Sequence, residues 1–135
     1  MLVDSWEWVP GKSVGPFQFG SDANCVIERF GLRKLKPDCS IADWDTYEIP
    51  GCESRISTED NKISSVNCWD SLYYNERDIL NMSLIEARAL FGTEEGVKSL
   101  GEDAMVLFYD SIGLTLFFDG EWIESASCGE CLTSN

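Results

Sequence analysis

Phe17-Gln18-Phe19-Gly20-Ser21-Asp22-Ala23-Asn24-Cys25-Val26-Ile27-Glu28-Arg29-Phe30-Gly31 has a counterpart in Asp78-Ile79-Leu80-Asn81-Met82-Ser83-Leu84-Ile85-Glu86-Ala87-Arg88-Ala89-Leu90-Phe91-Gly92. Each pairs an apolar residue with a turn former, Phe19-Gly20 and Leu80-Asn81, runs through about three turns of helix, and stops at Phe-Gly. The spacing is 61 residues, from Gly31 to Gly92. Trp8 stands to Phe19 as Trp69 stands to Leu80, so the register continues upstream. Downstream, Ile63-Ser64-Ser65-Val66-Asn67-Cys68 matches Ile123-Glu124-Ser125-Ala126-Ser127-Cys128 at a spacing of 60, one residue having been lost in a loop. Self-similarity held over this distance is the mark of a tandem repeat.

Local signals fill in each copy. Ser21 or Asp22 caps the first helix, Val26, Ile27 and Phe30 form its buried stripe, and Gly31 ends it. Ser83 and Glu86 have the capping-box spacing at the start of the second. Trp6 and Trp8 share one face of an extended run, a half-buried strand. Trp44 to Ile49, Cys52 to Ser57 and Lys62 to Trp69 read as strands, as do Ala104 to Tyr109, Leu114 to Phe118 and Glu121 to Cys128. Asp119-Gly120 is a hairpin turn whose residues tolerate positive φ. The segment from Thr93 to Asp103 is expected to hold one short helical turn, and Arg33, Lys34 and Lys36 to sit as favourable cations just past a helix C-terminus.

The expected fold is α+β. Two helix-plus-strands repeats, about 5–68 and 69–131, form one antiparallel sheet of roughly six to eight strands, with the helices packed on one face. A chain of 135 residues is one domain, 1–135, able to bury about two thirds of its unfolded surface without metal or disulfides. An antiparallel sheet tolerates solvent on its second face, which is where a partner is expected to sit.

Twenty-four acidic against ten basic residues give a net charge of −14. Such a chain repels phosphate backbones, which excludes direct nucleic-acid binding, and suits a basic protein partner. No stretch is long enough to span a membrane and no secretory signal opens the chain, so the expected location is cytoplasmic. In that reducing setting the six cysteines are expected to be free thiols, with Cys68 and Cys128 packed at matching positions.

The chain has no histidine. That removes histidine-based triads and the commonest general base, and no phosphate-binding glycine pattern or calcium loop replaces them. The expectation is a protein without catalysis and without a cofactor. Cys128-Gly129-Glu130-Cys131 has the spacing of a zinc half-site, and a small zinc-binding protein is one alternative.

The positive signal is acid interleaved with aromatics, in Asp43-Trp44-Asp45-Thr46-Tyr47-Glu48 and in Trp69-Asp70-Ser71-Leu72-Tyr73-Tyr74. The candidate partner-binding residues are Asp43, Asp45, Glu48 and Asp70 for charge, with Trp44, Tyr47, Tyr73 and Tyr74 as anchors. The competing reading turns the same aromatics inward and only the acids outward, by strand alternation.

The two copies, Phe19-Gly20 through Phe30-Gly31 and Leu80-Asn81 through Phe91-Gly92, each followed by strands, resemble the tandem architecture of beta-lactamase inhibitory protein and its relatives. Size and acidity also resemble bacterial immunity proteins, including those of contact-dependent growth inhibition systems. The likeness spans Trp8 to Cys128, but the disulfides and export signal of a secreted inhibitor are missing. It implies a stoichiometric inhibitor that binds and neutralises a basic toxin domain, often a nuclease. A regulatory or scaffold module, acidic only for solubility, is the other alternative.

Overall fold

The computed structural model describes residues 6–35 and 44–130. Short strands β1 (Trp8–Val9), β2 (Ser13–Val14) and β3 (Phe17–Gln18) form an antiparallel ribbon that leads into helix α1 (Ala23–Phe30). Asp22 caps α1, its side chain accepting from the Asn24 N–H at 2.9 Å, and Gly31 ends it in the left-handed region at φ 65°. Strands β4 (Arg33–Lys34), β5 (Trp44–Glu48), β6 (Arg55–Glu59) and β7 (Lys62–Cys68) follow as an antiparallel meander. A two-stranded ribbon, β8 (Tyr73–Tyr74) and β9 (Arg77–Asp78), then leads through a 3-10 turn at Ile79–Asn81 into α2 (Leu84–Phe91). The Ser83–Glu86 capping box is present at the start of α2. A second meander closes the chain: β10 (Gly96–Ser99), β11 (Ala104–Tyr109), β12 (Leu114–Asp119) and β13 (Trp122–Gly129).

The meanders join edge to edge. Strands β13 and β7 pair antiparallel, giving one eight-stranded sheet in the order β10-β11-β12-β13-β7-β6-β5-β4. The fold is thus a mostly antiparallel sheet with two helices, an α+β arrangement. Matched details recur 60 or 61 residues apart. The ladder shifts between Ser57 and Thr58 in one half and between Phe117 and Phe118 in the other. Isolated bridges join Asp22 to Lys62 and Ser83 to Trp122. The Ile63 N–H donates to the Ser21 carbonyl at 3.0 Å, and the Ile123 N–H to the Met82 carbonyl at 3.1 Å.

Register separates the two faces of the sheet. Tyr109, Leu114, Cys128, Val66, Ile56 and Tyr47 are cross-strand neighbours in succession, so they share one face. All are buried, in the same apolar cluster as Ala23, Val26 and Phe30 of α1 and Ala87 of α2. The N-terminal ribbon joins this side. Trp8 packs on Tyr74 and Phe91 with ring centroids 5.2 and 5.9 Å apart, and Phe91 packs on Tyr109 at 5.7 Å. The opposite row, Phe108, Thr115, Ser127, Asn67, Arg55, Glu48 and Arg33, is largely polar and none of it is fully buried. This is the open face.

Three local expectations change. Residues 96–99 form edge strand β10 rather than a helical turn, because Val97, Lys98 and Ser99 pair with Leu107, Val106 and Met105 and so satisfy the outer edge of β11. Arg33 and Lys34 form a strand pairing with β5, and their side chains meet Glu48 at 3.5 Å and Asp45 at 3.2 Å. Their role is cross-strand charge pairing, not helix-end compensation. In the last hairpin Asp119 pairs with Trp122, so the loop residues are Gly120 and Glu121, with Gly120 at φ 66°. Both loop residues take positive φ in the earlier hairpin, at Asp60 and Asn61. Among the described residues, no helix is long and apolar enough to cross a membrane.

Candidate functional site

A groove of about 500 Å³ runs across the open face from β11 to β5. Its β11–β12 half is apolar, lined by Leu100, Ala104, Met105, Phe117 and Phe118. Its other half is polar, with Asn67, Arg55 and Thr46, while Glu124 lines it from β13 and Trp69 from beyond the end of β7. The floor includes Ser125, a small residue that leaves room above the sheet. A second, polar concavity of about 390 Å³ shares Arg55 and Trp69 with it and adds Glu48, Cys52, Glu53 and Ser54.

Trp69 is held by its backbone. Its N–H donates to the buried Ser54 hydroxyl at 3.0 Å, and the Asp70 carboxylate accepts from the Glu53 N–H at 2.8 Å. These two bonds clamp the loop before β6 to the turn after β7, leaving the indole 45% exposed at the groove wall. Leu100 is 54% exposed and Trp122 58% exposed. Trp122 pairs with Asp119, which pairs with Ala104, so its side chain belongs to the open face at the same end of the sheet.

Five carboxylates, Glu102, Asp103, Asp119, Glu121 and Glu124, lie toward that end, whereas Glu94, Glu95, Asp110 and Glu130 lie at the opposite one. From Thr93 to Glu130 the chain carries nine carboxylates, Glu94, Glu95, Glu102, Asp103, Asp110, Asp119, Glu121, Glu124 and Glu130, and one cation, Lys98. Glu94 pairs with Arg88 at 2.8 Å, and Glu95 accepts from the Ser111 hydroxyl at 2.8 Å. Glu102, Asp103, Asp119, Glu121 and Glu124 are exposed and form no ion pair among the described residues. The Gly120 N–H donates to the Asp103 carbonyl at 2.6 Å, which sets the two acid-bearing turns side by side.

The residues singled out from sequence are divided by this geometry. Asp43 and the side chain of Trp44 lie outside the described residues. Strand alternation splits the rest of β5: Glu48 faces the open side, whereas Asp45 and Tyr47 face the helical side. Tyr47 is 9% exposed, so it is a core residue and not a surface anchor, a correction imposed by its cross-strand partner Ile56. Tyr74 is half-buried against Trp8 and Phe91, and Tyr73 is exposed on the ribbon bridged to Glu7, on the helical side. Glu48 and Asp70 lie beside Trp69; Leu100, Trp122, Glu124 and Arg55 are the additions, of which alternation within β6 signals Arg55, whereas Leu100 lies between strands and the register shift in β13 hides Trp122 and Glu124.

Cys25, Cys52, Cys68 and Cys128 are free thiols. Burial pushes Cys68 up to about 12 and Cys128 well above the ordinary thiol value, so both stay protonated, as packed thiols do. Cys131 lies outside the described residues, among which no group of three or more acidic or cysteine side chains could hold a metal ion. No protein-family model matches the chain, and no curated protein or solved structure is significantly similar to it.

Proposed function

We propose that this protein is a stoichiometric inhibitor of the immunity type, which seats a cationic toxin domain on the open face of its sheet and performs no chemistry itself. One observation carries the reading: among the described residues, Trp69, Leu100 and Trp122 stand out to solvent on the face that neither helix covers, beside five carboxylates without ion-pair partners. Exposed tryptophan and crowded like charge both cost the free protein stability, and a basic partner offsets both at once. A nuclease domain, whose substrate demands a basic surface, is the toxin class this charge fits. The proposed contacts are Glu48, Trp69, Asp70, Leu100, Trp122 and Glu124, with cytoplasmic neutralisation as the setting.

We also read the chain as a duplicated unit of one helix and four strands. The matched bulges, bridges and helix-entry hydrogen bonds support it, because such details follow local sequence and have no reason to recur at one spacing in unrelated halves.

Affinity capture from the source cell at moderate salt tests the function. The expected result is one stoichiometric partner with a basic domain whose activity disappears on addition of one equivalent of this protein. A partner whose activity is unaffected, or a multi-component regulatory assembly, would support the scaffold alternative instead.

A further inference from the structure

We infer that the groove on the open face is an anchor site for one lysine or arginine side chain of the partner, the stem lying over Leu100 and Phe117 and the charged head reaching Glu124. The inference rests on the reading above and adds the residue chemistry that the site recognises.

Long cationic side chains have an apolar stem and a charged tip, and bury the one while keeping the other paired. The groove has the same polarity. Its β11–β12 half offers Leu100, Ala104 and Phe117, Glu124 stands at the β13 side, and Trp69 presents an indole able to take a cation over its face. Among the described residues that line it, the only cation is Arg55, on β6. Strands β13 and β6 are separated by β7, and Arg55 is in register with Ser127, three residues along β13 from Glu124, so the two backbones stand more than two strand spacings, about 10 Å, apart. A cationic head is thus repelled from the β6 end and drawn to the β13 end. Glu102, Asp103, Asp119 and Glu121 on the neighbouring turns add to the attraction. A carboxylate-bearing occupant meets the opposite field at this end of the face.

The test is a titration of the isotope-labelled full chain, followed by NMR, with three capped peptides: acetyl-Arg-Leu-Arg-amide, acetyl-Gln-Leu-Gln-amide and acetyl-Glu-Leu-Glu-amide. The expected result is saturable shifts, for the arginine peptide alone, at the Trp69 indole N–H and at the amides of Leu100, Phe117 and Glu124. Glu124→Gln should weaken that binding about threefold or more, and Arg55→Gln should leave it unchanged or strengthen it. Both positions are exposed, and the spectra of the variants report whether the fold is kept. Shifts spread over every acidic turn without saturation, equal binding of the glutamine peptide, or weakening by Arg55→Gln would each overturn the inference. The two readings also separate. A basic partner captured from cells but bound equally well by Glu124→Gln and Trp69→Ala overturns the groove and leaves inhibition standing. Selective peptide binding without any basic partner supports the groove and removes the immunity reading.

Discussion

The Tyr109 hydroxyl donates to the Gly92 carbonyl at 2.9 Å, tying the end of β11 to the residue that terminates α2. Gly92 sits at φ 83°, ψ −164°, a conformation open essentially to glycine alone, and a Cβ there would meet nothing within 4 Å. Any penalty for Gly92→Ala is therefore conformational rather than steric. We expect Gly92→Ala to cost about 1–3 kcal/mol and Tyr109→Phe about 0.5–1.5 kcal/mol. Because the two groups touch, the double variant should lose measurably less than the sum of the singles in urea unfolding. Simple additivity would mean that the hydroxyl does not fix the helix end.

One side chain caps the start of α1 and a reciprocal pair caps that of α2. Asp22 accepts from the Asn24 N–H, and Ser83 accepts from the Glu86 N–H at 3.2 Å while Glu86 reaches back to the Ser83 N–H at 3.3 Å. Asp22→Ala and Ser83→Ala should each cost about 0.5–2 kcal/mol, measured by thermal unfolding. Ile85 is 80% exposed, whereas Ala87 is fully buried. Ile85→Lys should leave stability within about 0.5 kcal/mol of the parent, and Ala87→Leu should cost about 1–3 kcal/mol by overpacking. The reverse ranking would place the wrong face of α2 against the sheet.

These elements were legible because their signals are local. The caps, the Phe-Gly stops and the alternating runs of β12 and β13 lie within a few residues of what they specify. Strand β10 was not legible: Gly96-Val97-Lys98-Ser99 has one apolar residue, and only the free edge of β11 makes it a strand. The site was half legible for a related reason. An unbroken β13 would alternate from Cys128 and Ala126 to Glu124 and Trp122 on the helical face. The shift at Phe117 and Phe118 instead turns Ile123 inward and Trp122 outward. A bulge of one residue is settled by pairing with the neighbouring strand, which single-strand periodicity does not contain. Similarly, Tyr47 and Glu48 are adjacent in sequence but on opposite sides of the sheet, so a run of acids and aromatics cannot be one surface.

Alkaline pH should destabilise the fold. The thiol of Cys68 ordinarily titrates at 9.0 and is pushed up to about 12 in the fold, chiefly by burial; Cys128 and Tyr109 are raised by the same cause. Above pH 9 for the two thiols, and above pH 10 for Tyr109, the unfolded chain sheds these protons while the folded chain keeps them. The unfolded state then binds fewer protons and stability falls as pH rises, with a limiting slope of about 1.4 kcal/mol per pH unit for each group. Below pH 9 these groups contribute no pH dependence. We expect Cys68→Ala to flatten the limb between pH 9 and 12 in unfolding titrations, whatever it does to stability at neutral pH. An unchanged slope would show that other groups drive the loss. Among the described cysteines, thiol reagents should modify exposed Cys25 first, and Cys68 and Cys128 only as the protein unfolds.

The proposed docking face makes the last expectation, in which stability and binding are measured separately. Trp69 and Trp122 are 45% and 58% exposed, so replacing either with alanine removes about half of an indole's burial and should cost about 1–3 kcal/mol of stability while leaving the chain folded. If they anchor the partner, the same changes should weaken binding by about 2 kcal/mol or more, close to thirtyfold, as buried interface tryptophans do. Reversing charge at Glu102 and Glu121 should act differently, because both are exposed and act through long-range attraction. Their double reversal should slow association at low salt and matter progressively less at ionic strengths where the screening length falls below about 8 Å. Calorimetry for the tryptophan variants and stopped-flow kinetics for the charge variants measure the two effects against the captured partner. Tryptophan variants that bind normally would mean that the open face is not the interface, whereas salt-independent association would remove the role assigned to its charge.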